Sequence, residues 1–101
     1  MPNRLLAAEI TREKLYMNLN QELPYVTTVL TDSWKDLDNG AIRLDQTIYV
    51  EREKQRQIVL GKNGAMIKKI GMQARKELED LFECRVHLFL FVKVREKWGD
   101  N

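Results

Sequence analysis

Hydrophobic residues along this chain follow two rhythms, and the changes between them mark out its elements. Residues 3–23 bring Leu5, Ala8, Leu15, Tyr16, Leu19 and Leu23 to one side at helical spacing, which predicts a long first helix with Asn3 as its N-cap and Pro24 as its stop. A smaller stripe of Leu6, Ile10 and Met17 lies off that face and predicts a second apolar neighbour, in the core or on a partner. From Tyr25 to about Trp34 the period drops to two in a run rich in Val and Thr, and Asp38-Asn39-Gly40 reads as a hairpin turn. In the next run Ile42, Leu44, Ile48 and Val50 share one face, while Arg43, Asp45, Thr47, Tyr49 and Glu51 share the other. A last run over residues 85–95 repeats this alternation, with Val86, Leu88, Leu90, Val92 and Val94 inward and Arg85, His87, Phe89, Phe91, Lys93 and Arg95 outward. Between these two strands lie a short polar helix over residues 53–59 and a longer one ending near Phe82, whose apolar stripe is Ile67, Ile70, Ala74, Leu78 and Leu81. Gly71 inside that helix costs about 1 kcal/mol relative to Ala, which predicts close packing of its backbone against a neighbour.

The order helix, strand, strand, helix, helix, strand predicts an α+β fold, a three-stranded mixed sheet with its helices packed on one face. At 101 residues, 44% hydrophobic and 32% charged, the chain reads as one globular domain over residues 1–101. Its single cysteine, Cys84, cannot form an internal disulfide, and no apolar run approaches the roughly 18 residues of a membrane span. Leu5 to Ala8 is too short for a signal peptide, so the expected setting is reducing and cytoplasmic.

Charge changes this picture. The formal net charge is only +2, yet Arg52, Lys54, Arg56, Lys62, Lys68, Lys69, Arg75 and Lys76 face a single acid, Glu53, within residues 52–76. That segment carries +7 and the rest of the chain −5, a polarisation that implies an anionic partner at one end. In its centre stands Gly61-Lys62-Asn63-Gly64, a Gly-x-x-Gly turn that leads into the longer helix. Two glycines three apart permit a tight turn and a close approach by a ligand backbone, and the helix start beyond them offers free N–H groups and a positive dipole end. The helix itself is charged against its dipole, with Lys68, Lys69, Arg75 and Lys76 ahead of Glu77, Glu79, Asp80 and Glu83. A helix arranged for stability alone favours the reverse by about 0.3–1 kcal/mol per well-placed charge. The order makes sense if the missing negative charge comes from a ligand.

Residues 59–68, Val59-Leu60-Gly61-Lys62-Asn63-Gly64-Ala65-Met66-Ile67-Lys68, match the pattern (Val/Ile)-Ile-Gly-x-x-Gly-x-x-Ile-Lys, and with the order of elements they resemble a type II KH domain. The surrounding segments Ala7-Ala8-Glu9-Ile10, Arg12-Glu13-Lys14-Leu15, Glu22-Leu23-Pro24-Tyr25, Ile48-Tyr49-Val50-Glu51-Arg52-Glu53, Val86-His87-Leu88 and Val92-Lys93-Val94 are similar to the C-terminal domain of the bacterial Era GTPases. The resemblance covers nearly the whole chain. It departs at Lys62-Asn63, which exchanges the family's common Asn-Lys order, at Leu60 in place of Ile, and at Phe89, where a charged residue is common.

The resemblance implies the KH order α-β-β-α-α-β and binding of single-stranded RNA, namely small-subunit ribosomal RNA near its 3′ end, in assembly of the small ribosomal subunit. It assigns the phosphate clamp to Gly61, Lys62, Asn63 and Gly64, with Lys68, Lys69, Arg52, Lys54 and Arg56 supplying the surrounding field; Ile58, Val59 and Ile67 either floor the groove or, as apolar residues at the edge of a core, belong to that core, the more common place for such residues. It also implies an N-terminal GTP-hydrolysing domain as partner and, by resemblance alone, peripheral contact with the inner membrane. This chain carries no Gly-x-x-x-x-Gly-Lys-(Ser/Thr), since Arg56 stands where the upstream glycine would be, so it reads as the isolated RNA-binding part, with no enzymatic activity and no cofactor of its own. No His and Cys cluster has metal spacing, and no nucleophile has an evident base beside it.

Two other readings compete. One is a protein-interaction module that uses the outer sheet face, with Tyr49, Phe89 and Phe91, and the second stripe of the first helix. In a KH arrangement that aromatic patch is expected to lie away from the groove and to contact a neighbouring domain or Trp34. The other is duplex DNA binding through the basic helix, which the glycine turn disfavours because a groove-reading helix has no use for it.

Overall fold

The computed structural model describes residues 2–19 and 27–95. Its elements are α1 (Asn3–Asn18), β1 (Thr28–Asp36), β2 (Ile42–Val50), α2 (Glu53–Leu60), α3 (Ala65–Phe82) and β3 (Val86–Val94). The strands lie in the order β1-β2-β3, with β1 antiparallel to β2 and β2 parallel to β3. Asn39 and Gly40 make the turn between the antiparallel strands. Gly40 takes φ +85 and its N–H donates to Leu37 O at 3.0 Å, while the Asn39 side chain accepts from the Ala41 N–H at 3.1 Å. A parallel pair needs a long crossover, and α2 with α3 supplies it.

Ile42, Leu44, Ile48 and Val50 of the central strand are buried against Ala7, Ala8, Ile10 and Leu15 of α1 and against Ile70, Ala74 and Leu78 of α3. In the middle of that row sits Gln46, wholly buried, a polar residue in an otherwise apolar register. Its Oε1 accepts from Thr11 Oγ1 at 2.6 Å and its Nε2 donates to Thr31 Oγ1 at 3.2 Å, so its buried polar atoms are paired across three elements.

The network explains where the pattern misread α1. Leu5 and Tyr16, expected inward, are about half exposed, whereas Ile10 from the secondary stripe is buried beside Thr11 and Lys14. Polar residues that earn burial through partners are invisible to a hydrophobic count, so the inward face was placed about one residue out of phase. Pro2, not Asn3, occupies the N-cap position. α1 ends at Asn18, with Leu19 extended, and the expected continuation through Leu23 to Pro24 lies outside the described residues. Leu81 of α3 and Val94 of β3, both expected inward, are 48% and 40% exposed. Leu81 turns away from the sheet and Phe82 packs in its stead, edge-on against Trp34 with ring centroids 5.2 Å apart.

Trp34 reaches that position through a bulge. The β1–β2 register shifts between Thr31 and Ser33, and the extra residue, Asp32, moves the inward positions from Val29 and Thr31 to Trp34 and Asp36. Trp34 therefore lies on the helix side of the sheet, which corrects the expected contact between it and the outer aromatic residues.

Candidate nucleic-acid interface

The start of α2 is held by Gln55, whose Oε1 accepts from the backbone N–H groups of Glu51 at 2.9 Å and Arg52 at 3.0 Å. The helix closes at Gly61, whose N–H donates to Gln57 O at 2.9 Å. Gly61 takes φ 73 and ψ 176, a region open essentially to glycine alone, and a Cβ there would fall 2.6 Å from Met66 Cβ. Lys62–Gly64 form a single 3-10 turn, closed by the Gly64 N–H on Gly61 O at 3.2 Å. Asn63 sits in the left-handed region at φ 55, which Asn tolerates better than most residues, and Gly64 follows at φ 76. A Cβ on Gly64 would meet nothing within 4 Å. One glycine is thus demanded by packing and backbone together, and the other by backbone alone on a face left open.

Beyond this turn α3 begins at Ala65 with no side-chain cap and no acid in its first turn, so its positive end is uncompensated. Lys62, Asn63, Lys68 and Lys69 are exposed around it. Among the described residues none of these three lysines is within 4.0 Å of a carboxylate oxygen. Arg52 and Lys54 are exposed on the α2 side, while Arg56 pairs with Glu53 at 2.9 Å, which offsets part of its charge. The three expected floor residues separate. Val59 is wholly buried among Ile48, Val50 and Ile70 and serves the core, so its side chain does not reach a ligand. Ile58 is 41% exposed on α2, and Ile67 opens into the groove described next.

That groove, of about 350 Å³, runs between α3 and β3 from Ile67 and Lys68 past Gly71, Met72 and Arg75. Its far wall is Leu88 to Phe91 of β3, the free edge of the sheet. Bonds from Ile42 N–H to Arg85 O and from Arg95 N–H to Val50 O set the parallel ladder on the odd-numbered residues of β3. The peptide groups of the even-numbered residues therefore face the groove. The first of them, the Val86 N–H, is taken by Glu79 Oε2 at 3.0 Å, and the same carboxylate holds Arg75 at 3.7 Å. Leu88 and Leu90 present their N–H and C=O groups beside an apolar wall, which is what a base edge requires for hydrogen bonding.

Arg75, Gly71, Phe89 and Phe91 were not singled out as groove residues by the sequence. The signal that could have found them is the strand order, since a parallel β3 at the sheet edge must border the helix that leads into it. Gly71 does not owe its place to a tight approach: its virtual Cβ lies 3.6 Å from Leu90 Cδ1, an ordinary contact, and what its missing side chain leaves is groove volume. Among the described residues no group of His, Cys, Asp and Glu could hold a metal ion, and no helix is long and apolar enough to cross a membrane.

A mixed three-stranded sheet, a glycine turn between two crossover helices and a groove against the edge strand together define a KH module. The family model for the KH domain matches residues 22–99, and the chain belongs to that family. Within it, the chain is similar over nearly its whole length to the C-terminal portion of GTPase Era: 64% identical over 100 residues to Era of Afipia carboxidovorans and 57% over 101 residues to Era of Brucella suis. It spans about a third of the length of these relatives, 32% in both cases. Among solved structures, Aquifex aeolicus Era bound to GDP.AlF4− superposes with a TM-score of 0.91 at 40% identity, over 97% of this chain and 33% of that one. A crystal structure of Era in complex with MgGDPNP and nucleotides 1506–1542 of 16S ribosomal RNA matches equally well, with a TM-score of 0.91 at 40% identity and the same coverage.

Proposed function

We propose that this chain binds single-stranded RNA along the α3–β3 groove, with the turn of Gly61, Lys62, Asn63 and Gly64 as its phosphate clamp. The observation that carries the reading is the turn itself: a backbone in glycine-only and left-handed conformations, open on its outer side, ringed by lysines with no carboxylate partner among the described residues and seated at an uncompensated helix start. An extended phosphate chain supplies the negative charge this arrangement lacks. About four nucleotides fit such a clamp, with bases against Ile67 and Met72 and their edges on the free peptide groups of Leu88 and Leu90. Arg52, Lys54, Arg56, Lys68 and Lys69 add attraction without sequence preference.

The relative solved with nucleotides 1506–1542 of 16S ribosomal RNA supports small-subunit ribosomal RNA as the target. On this reading the chain is the RNA-binding part of a ribosome-assembly GTPase acting in the cytoplasm. GTP hydrolysis resides in a separate N-terminal domain, and no catalytic role or cofactor falls to the residues here.

The test is the pair Lys62→Asp with Asn63→Asp. Both side chains are exposed, so the circular dichroism spectrum should be unchanged. Affinity for an RNA of the 1506–1542 sequence should fall by about a hundredfold, as two charge-bearing contacts worth about 1.5 kcal/mol each are reversed. Unchanged affinity in a folded variant rules the clamp out.

A further inference from the structure

Among the described residues no element covers the face of the sheet turned away from the helices, and its composition is unusual for a solvated surface. Phe89, Phe91 and Leu30 are 43%, 50% and 45% exposed. Register places Phe91 level with Thr47 and Leu30, and Phe89 level with Asp45, so these side chains form one continuous surface across the three strands. Two guanidinium groups already lie over its rings: Arg43 Cζ is 4.6 Å from the centroid of Phe89, and Arg95 Cζ is 4.3 Å from that of Tyr49. Lys35, Arg43, Lys93 and Arg95 on this face stand against Asp32, Asp45 and, just past the end of β2, Glu51; Asp45 pairs with Arg43 at 3.4 Å, and Asp32 is engaged by the Thr47 hydroxyl. The surface is aromatic, basic and half-exposed, and a planar base can stack on the outer side of its guanidinium groups or on the exposed ring of Phe91.

Its position decides the occupant. Phe89 and Phe91 belong both to this face and to the wall of the α3–β3 groove, because β3 is the edge strand. A strand of RNA leaving the groove needs only to cross that edge to reach the rings, with no break in the basic, aromatic lining. We infer that the outer face of the sheet is a second, base-stacking surface for the same single-stranded RNA, which extends the bound length beyond the clamp. The inference rests on the groove being an RNA site. An acidic protein segment would also suit the charge, but nothing would tie it to the groove, whereas continuity with the groove favours the RNA.

The experiment compares RNA lengths. Tiles of about five nucleotides across the 1506–1542 sequence are titrated against the chain, and the tightest tile is then extended by several nucleotides at each end in turn. In the unaltered protein the extension at one end should tighten binding by about tenfold, the gain expected of a stacked base. Tyr49→Ala and, separately, Arg95→Gln alter the outer face without touching the groove. Both should bind the short tile as the unaltered protein does and lose the gain on extension. Arg95→Gln keeps the test open if Tyr49→Ala fails to fold. No gain on extension in the unaltered protein, or a gain that survives in a folded variant, overturns the second surface while leaving the clamp standing. Weakened recovery of small ribosomal subunits by Tyr49→Ala with the extension gain intact assigns the face to a protein and likewise overturns it. Failure of every tile and of the full 1506–1542 RNA to bind the unaltered protein counts against the groove itself, and the second surface falls with it.

Discussion

The seam between α1 and α3 and the turn between α2 and α3 are both rich in polar residues, and they treat them in opposite ways. At the seam every prominent polar group has a partner. Thr11 meets Gln46 at 2.6 Å, Lys14 meets Glu77 at 2.6 Å, and Asn18 donates to Gln73 at 2.7 Å. These pairs join α1 to the sheet and to α3, and they are the reason two amphipathic helices share one narrow apolar face without an unsatisfied group in it. At the turn, no carboxylate among the described residues reaches the lysines, the helix start is uncapped and the backbone takes glycine-only and left-handed conformations. Paired polarity marks where side chains serve the fold, and the unpaired polarity at the turn is what supports its proposed role as a ligand site.

The comparison breaks most visibly at the two glycines. Gly61→Ala forces a side chain into a glycine-only conformation and against Met66 Cβ, so it should destabilise the fold by about 3 kcal/mol and disorder the turn. Gly64→Ala meets open space and should cost only about 1 kcal/mol from its left-handed backbone. Its methyl group, however, projects on the side where a phosphate would approach, so RNA affinity should fall well beyond the stability loss. Denaturant midpoints and RNA titrations on both variants measure this. Equal stability losses would mean that the contact with Met66 is relieved by a small shift of α3.

A smaller effect is expected at the seam. The Lys14 side chain is 10% exposed, and its ammonium is held above the ordinary lysine value of 10.5, first by the hydrogen bond to Glu77 and then by that to Glu13, with burial opposing both. A raised value in the folded state means that the charged form is favoured by folding. The contribution is complete below the unfolded value and is lost as pH rises through the folded one. Glu77 remains 43% exposed, so solvent screens the pair and Lys14→Met should cost only about 1 kcal/mol at neutral pH. The variant should also lack the part of the alkaline destabilisation, above about pH 10, that the unaltered protein shows. If both proteins lose stability identically across that range, Lys14 is not the group responsible.

Much of this was legible in the sequence, for identifiable reasons. The period-two runs of β2 and β3 and the punctuation at Gly40 and Gly61 depend only on local chemistry, and they gave the element order and the turn. Thr11, Lys14 and Gln46 were not legible as buried, because what permits their burial is a partner as many as 63 positions away in sequence. The bulge at Asp32 was equally hidden, and with it the side on which Trp34 lies. Val59 and Ile67 both read as core edge or groove floor, and the structure divides them: Val59 falls within the core and Ile67 opens into the groove, a distinction set by how α2 and α3 cross. Strand order hid Phe89 and Phe91: only with β3 at the edge do residues facing away from the helices also border the groove.

The smallest predicted effect, at Gly71, separates the two uses of α3 most sharply. Gly71 lines the groove, and its virtual Cβ touches Leu90 Cδ1 at an ordinary 3.6 Å. Nothing in packing or dihedral angle therefore demands glycine, and Ala at this position should raise stability by about 0.5–1 kcal/mol through helix propensity and a less flexible unfolded chain. A gain of that size lifts the melting midpoint by a few degrees in a chain of this length. The added methyl points between α3 and β3, where Leu90 offers its peptide edge, and occupies volume a base would use. Gly71→Ala should accordingly melt higher and bind RNA several-fold more weakly, most clearly with tiles short enough to depend on the groove alone. A rise in midpoint with unchanged affinity would show that the RNA path avoids the middle of α3. A fall in midpoint would show instead that the added methyl disturbs the packing of Leu90 despite the ordinary 3.6 Å separation.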